Sequence, residues 1–270
     1  MKIISFLLLV VVFASCSPNN VTKEESLKKY FDDNNVRGTF GIYNNGTDHF
    51  TIYNLTQFKD SAYLPASTFK IVNSLIGLET GKISNEKMVI KWDGVERKIP
   101  EWNRDLTMDS AFKVSAVPYF QEVARRIGKD TMQLWLDSLG YGQRYGKFKI
   151  GKIDTFWLDN TLKITADEQL GLVKRLYFDQ LPFQKRSMRV VKEVMVMEKN
   201  SNYSLSYKTG WGQLPNGNSI GWVVGWVEEN RHPHIFALNV EGSANTDMPT
   251  VRMKILKGIL TQLGYLKGKM

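Results

Sequence analysis

Ser67-Thr68-Phe69-Lys70 sets a hydroxyl and an amine three residues apart, a spacing that brings both side chains to one face of a helix. Serine is a poor nucleophile at its own pKa and needs a base within hydrogen-bond reach. A charged lysine cannot be that base, whereas burial favours the neutral amine. A second hydroxyl follows in Ser115-Ala116-Val117, and Lys208-Thr209-Gly210 comes late in the chain. Together these parts point to acyl transfer through an acyl-serine. Each alone is weak. Ser-x-x-Lys occurs four times, at Ser26/Lys29, Ser67/Lys70, Ser84/Lys87 and Ser110/Lys113. Only the Ser67 copy runs into a long apolar segment, Phe69-Lys70-Ile71-Val72-Asn73-Ser74-Leu75-Ile76; the others lie in charged stretches. The order of the three motifs, each in a fitting context, carries the signal.

The elements that must position these residues can be read in outline. Residues 38–43 and 50–55 are aromatic and β-branched runs around Asn44-Asn45-Gly46-Thr47-Asp48, which predicts a hairpin. Pro65-Ala66 leads into a helix predicted over 67–79 and stopped by Gly81. Ser67 then sits at a helix N-terminus, where the dipole favours developing negative charge. Amphipathic helices are predicted over 117–127, 131–139, 166–177 and 185–197, between Gly- and Pro-marked loops. Strands return at 204–209, 219–228 and 234–240, with turns at 215–218 and 229–233, and a last helix covers 250–263. Residues 19–28 read as a polar tether or a short leading helix. Strands at both ends with helices between them predict an α+β fold: an antiparallel sheet of about five strands flanked by helices. A helical lobe, residues 67–197, is inserted between its sheet segments.

Composition narrows the class. With 270 residues, 43% of them hydrophobic, the chain can bury a sizeable core. The net charge is +9, yet Lys and Arg are mixed with acids and form no basic stripe interleaved with aromatics. That excludes a nucleic-acid partner and leaves a basic surface with mild steering of anions. Residues 1–16 read as a signal peptide: Lys2, then an apolar run over 3–13 that is too short to span a bilayer. Phe13-Ala14-Ser15-Cys16 resembles the lipobox of a bacterial lipoprotein, with Cys16 as the lipidation site; ordinary cleavage near residues 14–17 is the alternative. The remainder, 17–270, is read as a single domain. Cys16 is the one cysteine, so no intramolecular disulfide can form. His232-Pro233-His234 reads as a surface turn and His49 is the remaining histidine, so no metal site is expected.

Nearly all of the mature sequence resembles the class D β-lactamases, the oxacillinases. Besides the three motifs, Lys91-Trp92-Asp93-Gly94 and Pro100-Glu101-Trp102-Asn103-Arg104-Asp105 look like the segment between the nucleophile helix and the Ser115 loop. Phe156-Trp157-Leu158 is similar to the loop that covers the active site, and Gly221-Trp222-Val223-Val224-Gly225-Trp226 to the strand after Lys-Thr-Gly. One departure is plain: the family's Tyr-Gly-Asn reads Tyr141-Gly142-Gln143 here. The resemblance implies a serine hydrolase that opens β-lactam rings and confers resistance to them. It implies Ser67 as nucleophile and Lys70 as an N6-carboxylysine base, formed with CO2 and held by the Trp157 indole. Ser115 would relay a proton under the influence of Lys208. The backbone N–H groups of Ser67 and Trp211 would form the oxyanion hole. Val117, Leu158, Lys208, Thr209, Gly210 and Arg252 would bind substrate, with Thr209 and Arg252 on its carboxylate. No other cofactor is implied.

Two further readings share the motifs. One is a penicillin-binding transpeptidase or carboxypeptidase; the other is a β-lactam sensor domain. Small size and the Trp157 loop count against the first, and the lack of transmembrane stretches counts against the second. An exported bacterial protein in the periplasm, attached to a membrane only through a lipid on Cys16, is the expected setting.

Overall fold

The computed structural model describes residues 20–267; the leader and Cys16 lie outside the described residues. The main sheet is built from β1 (Val21–Lys23), β2 (Arg37–Asn44), β3 (His49–Tyr53), β8 (Val196–Lys199), β9 (Ser204–Gln213), β10 (Ser219–Glu229) and β11 (His232–Gly242). Their order across the sheet is β1-β3-β2-β11-β10-β9-β8. All neighbours are antiparallel except β1 and β3. Two short ladders lie outside it: β4 (Ala62–Tyr63) with β7 (Ile164–Thr165), and β5 (Val89–Ile90) with β6 (Leu106–Thr107).

Successive side chains of a strand point to opposite faces, and β10 uses both. Trp222, Val224 and Trp226 pack into one core, Val223 and Val227 into the other. Helices therefore cover both sides. On one side lies α7 (Ala166–Tyr177), against β2, β10 and β11. Thr165 and Glu168 form a reciprocal capping box at its start. Behind it are α2 (Leu55–Asp60), α3 (Lys70–Glu79), α4 (Met108–Lys113), α5 (Val117–Ile127), α6 (Lys129–Leu139) and α8 (Lys185–Val194). The opposite face is closed by α1 (Lys28–Asp32) and α9 (Met248–Gln262).

The α+β layering agrees with the sequence, and several elements differ in detail. Among the described residues the main sheet has seven strands and not about five, because the short edge strands β1 and β8 extend it. Residues 21–23, read as tether or helix, pair with β3, and a 3-10 turn at Glu25–Leu27 follows. The helix predicted to reach residue 197 ends at Val194, and Val196–Lys199 becomes β8, whose pairing with β9 outweighs helical period. Helix α2 was not predicted; Asn54, in the left-handed region at φ 55°, caps it through Gln57 N. The turn expected over 229–233 contracts to Asn230-Arg231, both with positive φ. His234 is consequently not on a surface turn. It is buried within β11 against the Tyr265 ring (4.3 Å).

Candidate active site

The turn that carries Ser67 is tighter than an α-helix. Ala66–Phe69 is a 3-10 turn and α3 begins only at Lys70. Residues i and i+3 eclipse in that geometry, which places Lys70 Nζ 2.6 Å from Ser67 Oγ as donor. Ala66 enters the turn at φ 48°, with its backbone N–H donating to the Trp157 carbonyl (3.0 Å). Thr68 Oγ1 donates to Pro65 O (2.7 Å) and accepts from Gln169 Nε2 on α7 (2.6 Å). Trp222 Nε1 holds the Leu64 carbonyl (2.9 Å), tying the segment to the sheet.

Lys70 is fully enclosed. Its ammonium end lies 5.6 Å from the centre of the Phe120 ring, and no carboxylate pairs with it among the described residues. Desolvation lowers its pKa from 10.5 to about 7. Trp157 is equally buried, stacked on Phe69 (5.1 Å) and edge-on to Phe156 (5.0 Å). Its indole N–H has no hydrogen-bond partner among the described residues. A buried donor left unsatisfied is costly, so the position calls for an acceptor.

Across the cleft runs β9. Beyond Ser206 the β8 side of this strand has no strand partner among the described residues, and the Ser67 turn packs there instead. The approach is close. A Cβ on Gly210 would stand 2.9 Å from Pro65 O and 3.3 Å from Thr68 N, so Lys-Thr-Gly needs its glycine. The motif lies mid-strand, since β9 continues to Gln213 and not only to residue 209. Lys208 Nζ donates to Ser115 Oγ (3.0 Å) and to the Thr209 carbonyl (3.1 Å). Burial first, then the nearby charges of Lys70 and Arg252, hold its pKa well below the ordinary lysine value. Ser115 itself occupies the left-handed region (φ 56°), between α4 and the start of α5 at Val117.

Arg252 comes from α9 and is only 9% exposed. Its Nη1 donates to the Gly210 carbonyl, while Nε has no partner among the described residues. Burial lowers its pKa to about 10. The side chains of α9 can pack close because β10 presents Gly221 there; a Cβ would meet the Met248 sulfur at 2.3 Å. Trp211 is 55% exposed, with its indole fixed by Ser219 Oγ (2.8 Å). Leu158 and Thr209 are half-buried, as is Val117. Gln143 is remote in role: its amide donates to Asp137 Oδ1 on α6 (2.7 Å).

The structure thus joins Ser67 to Lys70 and Lys208 to Ser115 by direct hydrogen bonds, and ties Arg252 to Gly210. Three supporting residues escaped sequence reasoning. Phe120 could have been found, since it lies one turn after Val117 on the buried face of α5. Gln169 and the positive φ of Ala66 leave no local signature.

Similarity to known proteins runs the length of the chain. Residues 25–261 match the penicillin binding protein transpeptidase domain. The chain is 37% identical to β-lactamase OXA-5 of Pseudomonas aeruginosa, with 99% of this chain and 100% of that protein covered. It is similar to the crystal structure of the class D β-lactamase YbXI from Nostoc, with a TM-score of 0.82, 37% identity, and coverage of 89% of this chain and 99% of that one. It is also similar to the C-terminal domain of the Bacillus licheniformis BlaR penicillin-receptor, with a TM-score of 0.85, 30% identity, and coverage of 92% and 98%.

Proposed function

This chain belongs to the class D β-lactamases, and we propose how its residues divide the hydrolysis of β-lactam antibiotics through an acyl-serine. Ser67 Oγ attacks the lactam carbonyl carbon and gives its proton toward residue 70, which stands 2.6 Å away. The backbone N–H groups of Ser67 and Trp211 hold the oxyanion. As the C–N bond breaks, the Ser115 hydroxyl passes its proton to the leaving nitrogen and regains one from residue 70, which is thereby free to act again as a base, while Lys208 holds the Ser115 oxygen by donating to it. Arg252 and Thr209 take the substrate carboxylate, while Val117, Leu158 and Gly210 line its path. Water then releases the product, and the organism resists the antibiotic.

Residue 70 fits the carboxylated form of lysine. With its pKa lowered to about 7, a sizeable fraction of the amine is neutral at neutral pH, its walls are apolar, and the Trp157 indole supplies a buried donor with no acceptor among the described residues. When carboxylated with CO2, Lys70 supplies an anionic general base in place of an amine. The pairing of a neutralised Lys70 with an orphaned Trp157 donor is the observation that carries the reading. No other cofactor is invoked. Residues 1–16 are proposed to export the protein to the periplasm, with Cys16 as a lipid anchor, and residues 17–270 to act as one catalytic domain.

The likeness to a penicillin-receptor favours one rival, a protein that is acylated and stays so. Nitrocefin turnover on purified protein separates them. Many turnovers per Ser67, absent in Ser67→Ala, support the hydrolase; a single stoichiometric burst supports the receptor.

A further inference from the structure

Beside the catalytic cleft, a cavity of about 330 Å³ opens between the β5–β6 ladder and one side of α5. Three aromatic side chains stand among apolar and charged residues in its wall, and their polar atoms are already engaged. Trp92 Nε1 donates to Val95 O (3.0 Å), Trp102 Nε1 to Val114 O (3.0 Å) and Tyr119 OH to Met88 O (2.9 Å). The rings are held in place, and their faces are what remains for a ligand. The two acids on the wall are also engaged: Asp93 with Arg97 (2.6 Å), Glu122 with Arg125 (3.1 Å) and Arg126 (2.9 Å). Lys91 and Arg104, in contrast, line the cavity with no side-chain partner among the described residues. Fixed aromatic faces beside two unpaired cations select a planar anion, since rings stack on rings and a guanidinium pairs bidentately with a carboxylate. The volume suits a molecule of one or two rings.

We propose that this cavity is a second ligand site, separate from the cleft at Ser67, for an aryl carboxylate. The site also has a route to the chemistry. Trp102 holds the carbonyl of Val114, and Ala116 forms part of the wall. Between them stands Ser115, in its left-handed turn. A ring seated on Trp102 bears on the turn that presents Ser115, so an occupant changes turnover without entering the cleft.

The test uses 2-naphthoate and the full chain, with quenching of tryptophan fluorescence as the binding readout. The binding arm needs no turnover, so its outcome is independent of the catalytic reading. Arg252→Ala removes the cleft's own guanidinium; saturable quenching is expected to persist in that variant. Arg104→Glu is expected to weaken binding about tenfold or more, and Trp92→Ala to weaken it while leaving nitrocefin turnover unchanged. In the unmodified enzyme naphthoate lowers kcat and leaves KM in place. Ring-opened benzylpenicillin, which carries a phenyl ring together with aliphatic carboxylates, forms a second arm. Its displacement of naphthoate from Arg252→Ala assigns the site to the enzyme's product; naphthoate binding that it does not displace assigns the site to a separate aryl acid. Purely competitive inhibition, lost in Arg252→Ala and intact in both Arg104→Glu and Trp92→Ala, overturns the proposal.

Discussion

Charge is buried at two places along one sheet, on opposite terms. In the seam between β9 and the nucleophile turn, Lys70, Lys208 and Arg252 are enclosed, and none makes an ion pair among the described residues. At the rim of the same sheet, Glu241 on β11 is just as enclosed. It accepts from Arg37 Nη2 (2.7 Å), Asn218 Nδ2 (2.8 Å) and Tyr63 OH (3.5 Å). Burial alone pushes the Glu241 carboxyl up, and the hydrogen bonds from Arg37 and Asn218 more than reverse it. The contrast separates two uses of a buried ion. With partners it holds the fold together; without them its proton is loosened, or its charge awaits a counter-charge from outside.

Mutations on the two sides should therefore fail differently. The largest effect belongs to Ser67→Ala, which should abolish both turnover and the covalent adduct with a labelled penicillin. Mass spectrometry finding the adduct on another serine sinks the assignment. Lys70→Ala comes next, with a loss of about 10²–10⁴ in hydrolysis. Acyl-enzyme that still forms should persist, as a chase with unlabelled substrate would reveal. In the unmodified protein kcat/KM should climb as pH rises through about 7, because protonation below that point removes the base. A flat profile across that region breaks the link between burial and reactivity.

Smaller effects sharpen the same contrast. Arg252→Ala should lower kcat/KM by about 2–4 kcal/mol, shared across substrates that carry the carboxylate. Unchanged kinetics would make Arg252 a support for Gly210 and nothing more. Trp157→Ala removes a buried donor to a charged group, worth about 1.5–3 kcal/mol, and its deacylation defect should shrink as bicarbonate is added. On the partnered side, Glu241→Gln should reduce unfolding free energy by about 1 kcal/mol and leave kcat/KM alone. The Glu241 contribution, from a depressed pKa, is present above the ordinary carboxylate range and lost as pH falls below that range and through the lower folded-state value. Urea melts at two pH values check the sign. A kinetic defect in Glu241→Gln would dissolve the distinction between the two regions.

The sequence made the working face legible and the borders less so. Helices α5 and α7 agree with the predicted spans because their apolar period and, for α7, the Thr165 box are local signals. β1 and β8 were missed because edge strands are held by pairing with distant partners, not by apolar alternation. His234 was placed outside because Pro233 reads as a turn residue; in the fold Pro233 pairs with Glu228 within the ladder. In the site, Ser67, Lys70, Ser115 and Lys208 stood out by motif. Gln169 did not, since its contact with Thr68 spans 101 residues and follows no pattern along the chain. The burial of Lys70 was expected from its neighbours; the unpartnered indole of Trp157 could only be seen in three dimensions.

The central claim is that an enclosed, unpaired Lys70 is neutral enough to be carboxylated and that this sets the rate. Degassed enzyme at fixed pH, titrated with ¹³C-bicarbonate, tests it through two readouts, nitrocefin turnover and the carbamate carbon signal. The account predicts that both rise together, and that the signal is absent from Lys70→Ala. Turnover indifferent to degassing and bicarbonate, with no label on Lys70, would contradict it.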